Sequence, residues 1–346
     1  MKFYFPTESK YKSIPRKYFS EWIKPIFPEE HQKKYKLAKE DIEFCKNIDN
    51  ADALVMPLTW NYYFENEVVN EAMSLIDKYN KYNKPIYTWS IGDELYKVPE
   101  GNFFLFRQNG YQSTRRKNEY SYPVIIRDPM DYLKINKLII LDKEEKPRIG
   151  FCGLADKNWI HLLYRKTKVS FRKLINSNKK SFLDYSKPIS GTELRMDALN
   201  QLSNSNGINT EFIIRNFSGG QSVNTDDYKM EFWENILASP YTLCIRGTGN
   251  YSARLYETLA LGRIPVFINT DCILPFDEEI NWKEHCIWIE KHDIDQMIDR
   301  IIEFHANISN TQLKEMQISN RKLWVDKLTY HGFHKNFTMN VKKKIS

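Results

Sequence analysis

The chain has 346 residues, 42% hydrophobic and 27% charged, which excludes a disordered chain and supplies apolar material for about two cores. Lys and Arg number 51 against 44 Asp and Glu, a net charge of +7. That mild excess favours phosphate-bearing partners, but the basic residues alternate with acids and make no stripe for nucleic acid. The five cysteines, Cys45, Cys152, Cys244, Cys272 and Cys286, are scattered with no C-x-x-C pair. They suit reduced thiols rather than a disulfide framework or a zinc site. The opening residues hold no apolar run of signal-peptide length, and no run of about 18 apolar residues occurs anywhere. The expectation is a soluble cytoplasmic protein, in which the sequons at Asn216, Asn250, Asn307 and Asn336 arise by chance.

In chain order, Ala53-Leu54-Val55-Met56 is a short apolar run closed by Pro57, which predicts a buried strand. Residues 67–79 carry Val68, Val69, Ala72, Leu75 and Ile76 at helix spacing. Residues 84–89 return as a strand ending at Gly92-Asp93, and Val124-Ile125-Ile126 suggests a third. Strands alternating with helices imply parallel sheets covered on both faces. A polar run, Asp142 to Pro147, marks a join. The expected division is a first Rossmann-like domain over 1–140, a second over 147–330, and a tail over 331–346 ending in Lys342-Lys343-Lys344.

Beyond the join, Arg148 to Gly153 reads as a strand stopping at glycine, 189–202 as a helix and 211–214 as a strand. Residues 230–238 then predict a helix and 241–245 a strand. A helix over 253–261 ends at Gly262, suited to a left-handed C-terminal cap, before a strand over 264–268. Residues 311–328 form a last amphipathic helix through Leu313, Met316, Leu323 and Trp324.

The segment from Tyr241 to Phe276 thus reads strand, glycine-containing loop, helix, strand. A loop leading into a helix N-terminus offers unpaired N–H groups and a positive dipole end, which suit phosphate. Gly247 and Gly249 let the backbone approach a ligand, and Ser252 stands at the N-cap. Arg254 and Glu257 are three apart, hence neighbours on one helix face. A cation in a first helical turn is unfavourable, so a bound anion would account for Arg254; an exposed ion pair with Glu257 is the plainer alternative. The same loop, Gly247-Thr248-Gly249-Asn250-Tyr251-Ser252, partly matches a dinucleotide fingerprint, with Asp271 as its acidic residue and Ser252 in place of the third glycine.

These residues resemble the signature of the exostosin-type glycosyltransferases. The resemblance rests on Arg246-Gly247, Ser252-Ala253-Arg254-Leu255-Tyr256-Glu257, Gly262-Arg263-Ile264-Pro265-Val266 and Leu274-Pro275-Phe276, followed by Trp282. Weaker echoes lie at 51–57 and 148–153. What the resemblance implies is a GT-B fold: two Rossmann-like α/β domains facing a central cleft, with a C-terminal helix able to cross back to the first. It implies an inverting, metal-independent transferase with a nucleotide-sugar donor, most often a UDP-sugar. The acceptor would be a glycan or lipid-linked glycan, with at most peripheral contact at the inner membrane face. Donor contacts would come from Gly153, Arg246, Gly247, Thr248, Gly249, Ser252, Ala253, Arg254 and Glu257. Arg254 would stabilise the departing diphosphate and Glu257 accept from ribose hydroxyls. Arg246 would add a second cation or anchor the loop, and Gly153 would leave room for phosphates or sugar.

No metal or cofactor is expected. Asp293-Ile294-Asp295 reads as an acidic helix start rather than a metal-binding pair, and His331 with His334 needs no ligand role. For the base that deprotonates the acceptor, Asp93 and Glu94 are first candidates, with Glu65 and Asp128 in reserve. Two other classes stay open: a nicotinamide-dependent oxidoreductase using Asp271, and a non-catalytic nucleotide-sugar-binding module.

Overall fold

Pro57 and the apolar run before it act as the sequence suggests: Ala53–Val55 is a strand buried on both faces. It belongs to a sheet whose strands are β1 (Lys2–Tyr4), β2 (Glu43–Phe44), β3 (Ala53–Val55), β4 (Ile86–Ser90), β5 (Phe104–Arg107) and β6 (Glu119–Ser121). All neighbours are parallel, in the order β2-β1-β3-β4-β5-β6. The computed structural model describes residues 1–6, 11, 13–23, 43–155, 167, 170–171, 182–184, 190–215 and 225–345. Helices α1 (Trp60–Glu65) and α2 (Val69–Asn80) accompany this sheet, whereas the short α3 (Pro129–Tyr132) packs Met130 and Tyr132 against Trp233 and Leu261.

A second parallel sheet has the order β11-β10-β9-β7-β8, from β7 (Arg148–Leu154), β8 (Asn209–Arg215), β9 (Tyr241–Cys244), β10 (Ile264–Asn269) and β11 (Ile287–Glu290). Its helices are α4 (Gly191–Ser203), α5 (Thr225–Ala238), α6 (Ala253–Ala260), α7 (Met297–Asn307) and α8 (Asn310–Leu323). Ile189, included in the predicted fourth helix, lies outside the described residues, as does Asn216. In each sheet the first strand in sequence sits between the second and third, so both are doubly wound about a switch point, β1/β3 and β7/β9. Ligands of such sheets collect beyond the strand C-termini at that point.

Val124 to Ile126 is not a strand. Pro123 has no N–H for a ladder, and the segment runs on with Val124 and Ile126 packed against the core cluster of Leu255 and Leu259. The third strand of the alternation is Phe104–Arg107 instead. Residues 331–346, expected as a tail, are also otherwise: α9 (Tyr330–Ile345) is helical and returns to the first domain. Tyr330, Phe333 and Phe337 join the core of Phe3, Trp22, Tyr87 and Phe106. Phe337 meets Phe106 at a centroid distance of 4.9 Å, and Phe333 meets Tyr122 at 4.8 Å. A π-helical turn, Trp324–Leu328, makes the passage from α8, which packs on the second domain.

The polar join is held rather than loose. Leu141 and Gln317 of α8 exchange hydrogen bonds of 2.9 and 2.8 Å, and the Lys143 ammonium donates to the Ile308 carbonyl at 2.7 Å. Gly262 has φ +67° and closes α6 in a Schellman motif, with Arg263 N donating to Thr258 O at 2.9 Å and Gly262 N to Leu259 O at 3.0 Å.

The two sheets face each other by their C-terminal edges. Loops leaving β4 and β5 touch loops leaving β9 and β10. Arg115 donates to both carboxylate oxygens of Asp277 at 2.9 and 2.6 Å, and Ser113 N donates to Asp271 at 2.9 Å. The Tyr111–Cys272 bridge lies beside them.

Candidate active site

Arg254 occupies the first turn of α6, a helix whose apolar side carries Leu255 and Leu259 into the core. Its guanidinium is thereby drawn under the C-terminal end of β7. Nη2 donates to the Cys152 carbonyl at 2.6 Å, and the group lies 4.3 Å from the Phe151 ring and 5.2 Å from that of Phe232. The residue is 9% exposed, and Nε has no hydrogen-bond partner among the described residues. Burial pulls its pKa below the ordinary arginine value, with Cys244 and Glu257 acting the other way. The plain i,i+3 surface pair is excluded by this burial. Gly153, expected to leave space for phosphate or sugar, makes space for the arginine: a β-carbon there would stand 2.5 Å from Nη2.

Glu257 follows one turn on. Burial pushes its carboxyl up to about 7, with Arg254 acting the other way. A carboxylate so poorly solvated gains from hydroxyl donors, which is the chemistry asked of a ribose partner.

Arg246, 5% exposed, follows β9 and anchors its own loop. Nη1 donates to Asn250 Oδ1 at 3.0 Å and Nη2 to the Thr248 carbonyl at 3.1 Å, while Nε has no partner among the described residues. Gly247 N closes the loop onto Tyr251 O at 3.2 Å. Ser252 holds the N-cap position without a side-chain capping bond, and Ala253 beside it is exposed, as is Thr248.

Two arginines escaped the sequence reading. Arg195 of α4 donates to Leu154 O at 3.0 Å and to Arg246 O at 2.9 Å, tying the ends of β7 and β9 together. Arg215 ends β8, pairs with Glu231 and lies 3.3 Å from the Tyr228 ring. Each is an ordinary basic residue in its own segment; only the order β9-β7-β8 makes them neighbours of Arg254. Helix α4, capped by Ser190 Oγ accepting from Glu193 N at 3.3 Å, begins hard against the loop, since a β-carbon on Gly191 would strike the carbonyls of Arg246 and Gly247. Two helix N-termini and the arginines Arg195, Arg246 and Arg254 thus meet at the β7/β9 switch point, with Arg215 at the end of the adjoining β8.

Across the cleft, Asp93 is exposed in the loop after β4, beside Gly92 with φ +80°. It accepts a hydrogen bond from Tyr251, whose hydroxyl is pushed up chiefly by burial and further by Asp93. Asp93 Oδ1 also lies 3.0 Å from where a β-carbon on Gly249 would stand. Glu94 is half-buried next to it. The reserves are occupied elsewhere. Asp128 makes a two-bond pair with Arg321 at 2.9 and 2.6 Å, and Glu65 accepts from Tyr18 at 2.6 Å and Tyr96 at 3.1 Å. Asp271, the acid of the dinucleotide fingerprint, is committed to Ser113 N and Oγ of the first domain.

Asp293 of the D-x-D pairs with Arg300 at 2.8 Å, and among the described residues no three His, Cys, Asp or Glu gather as a metal site. His334 is buried against Trp22, with Nδ1 on Tyr330 O at 2.7 Å. Asn250 is fully buried at 0% exposure, which removes it as a glycosylation acceptor in the folded chain.

Two parallel α/β domains meeting by their strand C-termini, with the last helix returned to the first domain, define a GT-B architecture. Residues 164–303 match the family model of the exostosin GT47 domain. It is 28% identical over 100 residues to a probable glucuronosyltransferase of Oryza sativa subsp. japonica, covering 27% of this chain and 24% of that one. It is 31% identical over 71 residues to the probable beta-1,4-xylosyltransferase IRX10 of Arabidopsis thaliana, covering 20% and 17%. The chain spans about a quarter of the length of the curated relatives it matches. Among solved structures, TarM aligns over 83% of this chain and 55% of that chain, at 12% identity and TM-score 0.37. A glycosyltransferase from Rickettsia africae aligns over 90% and 86%, at 11% identity and TM-score 0.36.

Proposed function

We propose that the protein is an inverting, metal-independent glycosyltransferase that moves a sugar from a nucleotide-sugar donor, a UDP-sugar, to a hydroxyl of a glycan or lipid-linked glycan. The observation that carries this reading is Arg254: a buried guanidinium at a helix N-terminus, without an ion-pair partner among the described residues. A buried charge is costly unless paired, and a diphosphate would pair it. Arg246, Arg195 and the amides opening α4 and α6 surround the same point, so the charge that builds as the diphosphate leaves would meet fixed positive groups.

The acceptor oxygen would bond to the anomeric carbon as the bond from that carbon to the diphosphate oxygen breaks. The diphosphate departs with that electron pair, and the acceptor proton passes to a carboxylate of the first domain. Asp93 is the candidate because its loop lies against the donor loop. Glu257, one turn beyond Arg254, would receive the ribose hydroxyls. All five cysteines are free thiols, in keeping with a cytoplasmic enzyme working at the inner membrane face.

Calorimetric titration of UDP, GDP and NAD in excess chelator, on the native protein and Arg254→Ala, tests the reading. UDP binding that weakens tenfold or more in the variant is the expected result, since charge-assisted bonds contribute about 1.5–3 kcal/mol. Indifference to UDP and GDP with clear NAD binding would reject it. Strict dependence of transfer on manganese would reject the metal-independent part.

A further inference from the structure

Asn250 is the most heavily bonded side chain of the donor loop, and its bonds run across the cleft. Its Oδ1 accepts from Arg246 Nη1 at 3.0 Å and from Thr270 Oγ1 at 2.6 Å. Its Nδ2 donates to Gly110 O at 2.8 Å and Asp271 O at 3.1 Å. Its backbone N donates to Asn109 Oδ1 at 2.8 Å, and Asn109 Nδ2 donates in turn to Asp93 O at 2.6 Å. Asn109 is 6% exposed and Asn250 0%, so none of these groups has water as a ready substitute.

We propose that Asn109, in the acceptor-side domain, is a positioning residue for the anion-binding loop of the other domain. It holds Asn250, and Asn250 holds the Arg246 guanidinium. The proposal rests on the donor-site reading above and adds to it a dependence: the donor loop is correctly set only when the first domain is docked against it. The same chain of bonds fixes the Asp93 backbone, so one asparagine sets the loop carrying the donor cation and the loop carrying the candidate base.

The geometry separates this role from general adhesion between the domains. Arg115 and Asp277 also bridge the domains, but neither bonds to Arg246 or Asn250. Removing Arg115 weakens the junction and leaves the loop's own bonds intact. Removing the Asn109 side chain strips the Asn250 backbone N–H of its acceptor.

UDP affinity is measured by calorimetry on the native protein, Asn109→Ala, Arg115→Ala and Arg254→Ala, with hydrogen exchange of residues 246–251 followed in each. Asn109→Ala is expected to weaken UDP binding about tenfold and to speed exchange of the Asn250 amide, while Arg115→Ala changes UDP affinity less than threefold. Equal losses in Asn109→Ala and Arg115→Ala, or none in Asn109→Ala, would overturn the proposal. A native protein that ignores UDP, or an Arg254→Ala variant that binds as tightly, rejects the donor-site reading instead. Exchange then decides the positioning role alone: an unchanged 246–251 loop in Asn109→Ala overturns it.

Discussion

The guanidinium of Arg254 fills the space that a β-carbon on Gly153 would need, with Nη2 2.5 Å from that point and 2.6 Å from the Cys152 carbonyl oxygen. The glycine next to the end of β7 and the arginine in the first turn of α6 are one device, although about a hundred positions separate them. Gly153→Ala is therefore expected to expel the guanidinium and to lower UDP affinity as far as Arg254→Ala does, at least tenfold. Calorimetry with a parallel thermal melt checks this. Native affinity in Gly153→Ala would show that the contact is dispensable.

Glu257 carries a pH signature. Its folded-state pKa of about 7 lies above the ordinary 4.5, so the folded protein holds this proton more tightly than the unfolded chain. The resulting stabilisation is full below pH 4.5 and is lost as pH rises through about 7. The loss is on the order of 3 kcal/mol. Urea unfolding at pH 5 and pH 8 should show native protein weakening by more than Glu257→Gln does. Identical pH slopes would contradict the burial of this carboxylate.

His334 has the opposite sign. Burial drives its pKa down from 6.5 to about 3, against the opposing hydrogen bond to the Tyr330 carbonyl, and the ring packs among Trp22, Tyr122, Tyr330 and Phe333. The unfolded chain takes up the proton first, so stability falls as pH drops below about 6.5. At pH 4 the deficit is about 3 kcal/mol. His334→Phe should flatten the acid limb of a Tm-against-pH curve, and an unchanged limb would assign acid unfolding to other groups.

Asp93 should separate binding from chemistry. Asn at that position keeps an oxygen to accept from Tyr251 but cannot take a proton. Asp93→Asn is expected to lower kcat about a hundredfold while UDP affinity stays within twofold, given what general bases contribute. Equal turnover in steady-state assays would remove Asp93 from the reaction.

Much of this site is legible in the sequence because its parts are local. The strand, loop and helix from Tyr241 to Gly262 lie in one continuous stretch, and hydrophobic spacing places Arg254 and Glu257 on neighbouring helix positions before any contact is known. The alternation of strands and helices likewise implies parallel sheets. Short strands such as Lys2–Tyr4 and Glu43–Phe44 carry too few residues for a period to register, so β1 and β2 escape the sequence reading.

What only the tertiary structure decides is which distant residues share a point. Strand order brings Arg195 and Arg215 beside Arg254, and the close approach of two backbones gives Gly153 its purpose. Asn109 meets Asn250 because two sheets face by their C-terminal edges, a relation between domains that no periodicity within either can encode. The last helix illustrates the same limit. Residues 331–346 end in lysines and read as a solvated tail, yet Phe333 and Phe337 are buried because the aromatic face of the first domain, Trp22, Tyr87 and Phe106, is left for them to cover. Local sequence determines what a segment can form; burial of complementary surfaces, summed over the whole chain, decides where it goes.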